Sequence, residues 1–234
     1  KESISAIFFI SLRKEKYWWD ILSSLLFENQ HVNQPNCNKI NSLLTELGYH
    51  FKIEESININ LMDKLSKWSV TDKDFPFNRN KAFYFLAKEI EDTDHYKESK
   101  ILDIVTSMSN EKRNFGYLLK KKLIQYHKIG YHTINHFNLS KLSYDNQKKE
   151  IELGKKELES VIRKQVDLFA YPFGNRNHYN YNTLEIVKRN FNFAFSNFEG
   201  LVHKDSNIYE IPRFLVRDWD IDDFILNVKR FFKY

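Results

Sequence analysis

Residues 166–174 have the sequence VDLFAYPFG, in which a short apolar run ends at a Pro-x-Gly turn. Runs of this kind, rich in β-branched and aromatic residues, are typical of buried strands. Three other runs are similar: ISAIFFIS at 4–11, FNFAF at 191–195 and IPRFLV at 211–216. We predict a strand at each of them, and we expect the strand at 4–11 to be covered on both faces.

Helical patterns lie between these strands, at residues 145–163, 183–189 and 224–232. The last helix has Asp222 or Asp223 as its predicted N-cap. One face of the first helix carries four apolar residues at helical spacing: Ile151, Leu158, Val161 and Ile162. Strands that alternate with helices predict an α/β fold, with a mostly parallel sheet or a barrel.

Residues 17–118 interrupt this alternation, because their patterns are mostly helical and their strand signals are weak. We therefore divide the chain into three parts. Residues 1–16 hold the first visible strand of the α/β domain, 17–118 form a mostly helical insertion, and 119–234 form the remainder of the α/β domain. No internal repeat or low-complexity tract is visible in the sequence.

The composition excludes several classes of protein. The chain of 234 residues is 42% hydrophobic, which is enough for a sizeable core and excludes a disordered chain. The net charge is +5, and no basic run is longer than residues 120–122, so we do not expect nucleic acid as a partner. The single cysteine, Cys37, excludes an internal disulfide and a cysteine-based zinc site. No apolar run approaches the ~18 residues of a transmembrane segment, and no signal-peptide pattern is visible. Localisation stays open between the cell envelope and the cytoplasm.

Residues 130–136 have the sequence GYHTINH. On a helical turn, His132 and His136 would lie on the same side, because they are four residues apart. Their nitrogens could then reach one ion at the ~2.0–2.1 Å that is typical of zinc. Such a pair is common by chance in a chain with eight histidines, so it is a weak signal when taken alone.

The Pro-x-Gly turn at 172–174 is the second candidate feature, because α/β folds place their sites at the ends of strands. Pro172 fixes the backbone and Gly174 permits a positive φ. The amide of Phe173 could then point into a pocket as an oxyanion donor. The alternative is an ordinary strand-to-loop turn.

Together the two motifs resemble those of the polysaccharide deacetylases of carbohydrate esterase family 4, which have the NodB-homology fold. HTINH at 132–136 is similar to the family's His-[Ser/Thr]-x-x-His metal motif, and NLSKLS at 138–143 continues it in the family's manner. DLFAYPFG at 167–174 is similar to the family's next block, in the same order and at similar spacing. The resemblance covers about residues 1–20 and 119–234.

The resemblance implies a distorted, incomplete (β/α) barrel with a mostly helical insertion. It also implies a metal-dependent hydrolase that removes N-acetyl groups from an amino-sugar polysaccharide or oligosaccharide, such as a glycan of the cell envelope. Zn²⁺ is the expected metal, and Co²⁺ or Ni²⁺ could also fit a site of two imidazoles and one carboxylate. The residues implied are His132 and His136 as metal ligands, the Phe173 amide in the oxyanion hole, and Tyr171, Pro172 and Gly174 in substrate binding.

The sequence also departs from the family pattern. The family's Thr-Phe-Asp-Asp-like motif supplies the general base and the third metal ligand, and nothing in this chain matches it. We therefore expect the sequence to be truncated, the full-length protein to be the enzyme, and residues 1–234 alone to be inactive. The family's Arg falls on Ala170, so Arg213 is a candidate to supply that charge. His203 is the best candidate for the family's final acid histidine.

Two other functions stay open. A non-catalytic glycan-binding or scaffold protein of the same fold could keep the two histidines, and an Asp-Asp pair at a strand end before Lys1 would favour the enzyme instead. A nucleic-acid binder rests only on the charge of +5. It would require binding that depends strongly on salt, which we do not expect.

Overall fold

The computed structural model describes residues 4–13, 15–70, 72, 74–92, 95–109 and 121–232. The chain folds into two compact units. Unit 1 comprises residues 1–13 and 114–234, and unit 2 comprises residues 14–113. The boundary that the sequence places between residues 118 and 119 lies outside the described residues, and so do residues 1–3 of the first predicted part.

Unit 2 is built from helices. They are α1 (Trp18–Ser23) with a π-helical continuation (Ser24–Glu28), α2 (Gln34–Glu46), a 3-10 turn (Ile59–Leu61), α3 (Met62–Ser66), α4 (Asn78–Asp92) and α5 (His95–Thr106). Arg79 of α4 is fully buried. Its guanidinium donates to the main-chain carbonyls of four residues at 2.7–3.0 Å: Asn29, Gln30, Glu54 and Glu55. A buried cation thus links α4 to two loop segments of the unit.

The described part of unit 1 contains a parallel sheet of four strands. They are β1 (Ile7–Ile10), β2 (Lys128–Tyr131), β3 (Leu168–Ala170) and β4 (Phe193–Phe195), paired in that order. Ile10 is opposite Tyr131 and Ala170 is opposite Phe195, so the carboxyl ends meet at one edge of the sheet. The sheet confirms the predicted α/β class, and its closure into a barrel stays a prediction.

Helices precede and separate these strands. α6 (Lys121–Tyr126) precedes β2. Between β2 and β3 the chain forms a 3-10 turn (Leu139–Lys141) and then α7 (Tyr144–Lys148), a π-helical segment (Lys149–Leu153) and α8 (Gly154–Ile162) without interruption. α9 (Tyr181–Asn190) separates β3 from β4, and α10 (Ile221–Phe231) follows near the C-terminus. Among the described helices, none combines the length and the apolar character that crossing a bilayer requires.

The core of unit 1 consists of side chains from the strands and from the helices between them. Tyr131 and Phe169 of the sheet are fully buried. They share one apolar cluster with residues from the helical side: Ile151, Leu158, Ile162, Ile186, Val187 and Phe191. Val161, which the sequence places on the same helical face, is instead 55% exposed.

Two predicted strands differ from those observed. At 4–11 only Ile7–Ile10 is a strand, and Ile7 and Phe8 are 40% and 38% exposed, so the expectation of cover on both faces is wrong. The reason is that β1 lies at one edge of the described sheet. At 211–216 only Ile211 forms a bridge, to Phe195. Pro212 follows it and has no N–H with which to continue the pairing.

The predicted N-cap of the last helix also needs correction. α10 begins at Ile221, and its N-cap is Asp220, whose Oδ1 accepts the Asp223 N–H at 2.8 Å. Asp222 and Asp223 lie in the first turn of the helix, where acidic side chains interact favourably with the helix dipole.

Candidate metal centre

His132 immediately follows β2 at the carboxyl edge of the sheet. Its backbone N–H donates to the Ile10 carbonyl at 2.9 Å, which extends the pairing with β1 by one residue. In the side chain, Nδ1 lies 2.7 Å from the Ala170 carbonyl oxygen. Because a carbonyl can only accept, Nδ1 carries the proton and Nε2 keeps its lone pair. The ring is therefore fixed in the tautomer that leaves Nε2 available as a ligand.

The segment from His132 to His136 is a loop rather than the helical turn that the sequence analysis assumed. Thr133 and His136 have φ values of 63° and 60°, in the left-handed region that non-glycine residues rarely adopt. The Thr133 hydroxyl accepts the His136 N–H at 3.1 Å. The chain after β1 holds the same loop, since Leu12 N–H donates to the Thr133 carbonyl at 3.1 Å and Ser11 Oγ donates to the Ile134 carbonyl at 2.9 Å.

This loop brings the two imidazoles together. The ring centroids of His132 and His136 are 4.7 Å apart, and the ring planes are inclined at 79°. Two imidazoles that bind one tetrahedral ion at about 2.0–2.1 Å have ring centroids about 5 Å apart. The pair therefore has the spacing that a shared ion requires.

The surroundings favour neutral imidazoles. The pKa of His132 is lowered to about 4: burial is the largest cause, the hydrogen bond to Ala170 opposes the shift, and the Arg213 charge adds to it. Burial also holds the pKa of His136 well below its usual range, with smaller contributions from His132 and from Arg13. Metals bind neutral histidine, so both rings are in the form that coordinates an ion near neutral pH.

The predicted turn after β3 lies beside this pair. Gly174 N–H donates to the Pro172 carbonyl at 2.6 Å, which closes a three-residue turn with Phe173 at its centre. Phe173 has a φ of 59°, a strained value for a residue with a side chain. Its ring centroid is 5.0 Å from that of His136. The turn that carries Phe173 thus lies beside His136.

Gly174 is required at its position for two reasons. Its φ is 77°, and a Cβ there would come within 2.8 Å of the Asn197 nitrogen. The same close approach allows Asn197 N–H to donate to the Gly174 carbonyl at 2.9 Å. This contact ties the turn to the segment that follows β4.

Tyr171 belongs to the core. It is 1% exposed, its hydroxyl donates to the Tyr209 carbonyl at 2.9 Å, and its ring stacks on Tyr179 at a centroid distance of 4.1 Å. Any contact between this residue and a substrate would therefore be made by its main chain. Pro172 and Gly174 are also buried. Their proposed part in substrate binding is accordingly to shape the turn that holds Phe173.

Arg213 and His203 are placed differently. The Arg213 guanidinium donates from Nε to the Ser196 carbonyl at 2.7 Å and is close enough to lower the pKa of His132. His203 lies on an exposed turn, where its backbone N–H donates to Ser206 Oγ at 2.8 Å. The described contacts bring Arg213 to the histidine pair and do not bring His203 there.

Three buried residues near the site were missed by the sequence analysis: Arg13, Glu150 and His178. Arg13 follows β1, and its charge acts on both His136 and Glu150. Burial raises the pKa of Glu150, while hydrogen bonds from Asn135 and Ile134 and the Arg13 charge oppose that rise. His178 packs its ring 5.2 Å from Phe173 and accepts the Asn175 N–H at Nδ1. Nothing local in the sequence separates these residues from ordinary surface charges, because their neighbours come from distant segments.

Taken together, the fold and the site define an α/β protein with two neutral imidazoles at the carboxyl ends of parallel strands. A family model for polysaccharide deacetylase matches residues 80–190, a range that contains both the His132–His136 and the Tyr171–Gly174 motifs. This match confirms the resemblance to the polysaccharide deacetylases that the motifs indicate. The matched range also includes residues 80–118, which the sequence analysis assigned to the insertion.

Solved structures of deacetylases are also similar to the chain. One is the Streptococcus pyogenes deacetylase PplD in complex with acetate, at 16% identity and a TM-score of 0.44, covering 95% of this chain and 96% of that one. Another is BC0361, a polysaccharide deacetylase from Bacillus cereus, at 16% identity and a TM-score of 0.40, covering 96% and 68%. These are distant similarities. Comparison with curated protein sequences finds no significant match.

The family implies an acetylated carbohydrate as substrate and is generally metal-dependent. Within the described residues, no group of three or more His, Cys, Asp and Glu side chains is gathered as an ion site. The two histidines therefore have the spacing and charge state of ligands, His132 also has the required tautomer, and the remaining ligands are not identified.

Proposed function

We propose that this protein is a metal-dependent hydrolase that removes N-acetyl groups from an amino-sugar polysaccharide. The observation that carries the proposal is the pair of neutral imidazoles at the carboxyl edge of the sheet, with the tautomer of His132 fixed by the Ala170 carbonyl. Histidine nitrogens in this state suit Zn²⁺, and also Co²⁺ or Ni²⁺. When bound, such an ion supplies Lewis acidity toward an acetamide carbonyl and a water molecule.

The chain's own residues have distinct parts in this proposal. His132 and His136 hold the ion. The Phe173 N–H, on the strained turn beside His136, is the candidate donor to the oxygen that becomes negative as the amide is attacked. Arg213 adds positive charge near His132 and would favour a nearby carboxylate in its ionised form. The general base and the third ligand are not identified among the described residues.

Zinc titration of this chain tests the proposal, with His132→Ala as the test variant and His203→Ala as the matched control. His203 is an exposed histidine, so its replacement removes an imidazole without touching the candidate site. We expect one weakly bound zinc ion per chain, with an affinity at least about tenfold lower in His132→Ala and unchanged in His203→Ala. Circular dichroism would show that all three proteins are folded.

The other outcomes are informative in different ways. Tight one-to-one binding that His132→Ala abolishes would support the metal site and would show that residues 1–234 supply a further ligand. Folded protein with no zinc binding that depends on His132 would overturn the proposal. It would favour the alternative of a non-catalytic glycan-binding or scaffold protein of this fold.

A further inference from the structure

We propose that Glu150 is a positioning residue of the metal centre, because its buried carboxylate holds the main chain between His132 and His136 in the conformation that brings the two rings together. This inference rests on the proposed metal site. It assigns a part to a residue that lies in a helix and is not one of the proposed ligands.

The contacts of Glu150 are concentrated on that loop. Its side chain is 6% exposed and lies in the π-helical segment Lys149–Leu153. Oε2 accepts the Ile134 N–H at 3.0 Å and the Asn135 N–H at 2.8 Å. Oε1 accepts Asn135 Nδ2 at 2.7 Å. All three donors belong to residues that lie between the two histidines.

The loop needs such a partner because its backbone is unfavourable when isolated. Thr133 and His136, on either side of the two bonded residues, both have positive φ, and each such residue costs about 1–2 kcal/mol. The strained conformation points two successive N–H groups at one carboxylate oxygen, as in the main-chain nests that bind anions. Without the carboxylate, two partly buried N–H groups would lose their acceptor.

The π-helical segment is itself anchored to the sheet next to His132. The Tyr131 hydroxyl donates to the Glu150 carbonyl at 2.6 Å. Gly154 lies against the Tyr131 ring. A Cβ added at Gly154 would be 2.6 Å from Ile134 Cγ1, so no side chain fits at this position. Tyr131, which precedes His132, therefore contacts the same helical turn as Ile134 and Asn135, which precede His136. Movement of that turn would shift both imidazoles.

Zinc affinity of three single variants tests the proposal: Glu150→Ala, Glu150→Gln and the control Gln147→Ala. Gln147 is equally buried on the preceding helical turn, and it bonds the Leu142 carbonyl and the Thr183 hydroxyl rather than the histidine loop. We expect Glu150→Ala to weaken zinc binding by about 10–100-fold, as is typical when a residue that orients metal ligands is lost. Gln147→Ala should lower the melting temperature but leave zinc affinity within about twofold.

The conservative variant separates positioning from general stability. Glutamine at 150 can still accept both backbone N–H groups through its amide oxygen, and Asn135 can rotate its own amide to pair with the new NH₂ group. We therefore expect Glu150→Gln to recover most of the zinc affinity that Glu150→Ala loses. Equal losses in Glu150→Ala and Gln147→Ala would overturn the proposal, because they would show that only fold stability matters.

Amide hydrogen exchange supplies a readout that does not depend on metal. The Ile134 and Asn135 amides should be protected in the wild type and in Gln147→Ala, and they should exchange much faster in Glu150→Ala. If the wild type binds no zinc through His132 while this exchange pattern holds, the proposed function fails, but the inference that Glu150 holds the loop is supported. Unchanged protection of both amides in Glu150→Ala would refute that inference.

Discussion

Each compact unit contains a deeply buried ionisable side chain whose hydrogen bonds are made chiefly with the main chain. The two side chains differ in the number of chain segments that they contact. Arg79 of unit 2 donates to carbonyls in two separate loop segments, at residues 29–30 and 54–55. Glu150 of unit 1 accepts from one short segment, at residues 134–135. The difference indicates that Arg79 stabilises a whole unit, whereas Glu150 fixes the shape of a single loop.

The strongest test of this comparison is Arg79→Met, which keeps much of the side-chain volume but removes the cation. At least four buried carbonyls would lose their donor, so we expect a loss of about 3–5 kcal/mol in the free energy of unfolding. Urea denaturation measures this loss. Arg189→Met, at an arginine whose side chain is 64% exposed, is the control and should change stability by less than about 1 kcal/mol. A loss below about 1 kcal/mol in Arg79→Met would contradict the assigned role.

Gly154→Ala tests how closely the segment that carries Glu150 is packed against β2. The new methyl group would overlap the Tyr131 hydroxyl, so we expect destabilisation of about 1–3 kcal/mol. Tyr131→Phe removes that hydroxyl and its bond to the Glu150 carbonyl, at a cost of about 1 kcal/mol. The double variant should lose less than the sum of the two single losses. Strict additivity in the double-mutant cycle would mean that the two residues do not share this contact.

We expect the smallest effect on the free energy of unfolding from Glu89→Gln. Glu89 serves as a reference, because its described partners are side chains rather than main-chain groups. Glu89 accepts from Tyr49 and pairs with Lys97 Nζ at 2.8 Å. Burial alone would raise its pKa, but the hydrogen bonds from Lys97 and Tyr49 hold the pKa below its ordinary value. A lowered pKa in the folded state stabilises the protein above the unfolded-state pKa, about 4.3, and this contribution is lost as the pH falls through the folded-state pKa.

We therefore expect Glu89→Gln to cost less than about 1 kcal/mol at pH 7, because the ion pair is partly exposed. The difference from the wild type should shrink as the pH falls through the folded-state pKa of Glu89, because protonation removes the charge that the glutamine also lacks. Denaturation at pH 7 and at a series of lower pH values measures it. A difference that grows on acidification would show that the pKa of Glu89 is shifted in the opposite direction.

Much of the fold could be predicted from short-range patterns. The apolar runs identify β1, β3 and β4, and the helical spacing identifies the helices between β2 and β4, because each pattern reports the burial of its own segment. β2 was missed, since its four residues include a lysine and a glycine and form no apolar run. The strand at 211–216 was wrong because an apolar run does not report backbone pairing, which stops after Ile211, where Pro212 has no N–H to donate. The exposure of Ile7 and Phe8 was missed for the same reason, since the pattern cannot distinguish an edge strand from a central one.

The candidate site was predictable only in part. His132 and His136 could be paired from the sequence because they lie in one five-residue segment, and the Phe173 turn could be placed because strand ends meet at one edge. The conformation of the histidine loop could not be predicted, because it depends on positive φ at Thr133. The part of Glu150 could not be predicted either, because Glu150 is 15 residues from Asn135 in sequence and its carboxylate contacts Asn135 only in the folded chain.

The π-helical segment between Lys149 and Leu153 has a consequence for the packing of the helix. A π turn contains about one residue more than an α turn, so it offsets the rotational phase of the helix by about 100°. Gln147, Ile151, Leu158 and Ile162 are all buried, and their spacings of four, seven and four residues would place them on one face of a regular α-helix. Because of the offset, the first two and the last two of these residues are directed to different sides. One additional residue thus lets a single helix bury side chains over a wider arc than a regular α-helix would.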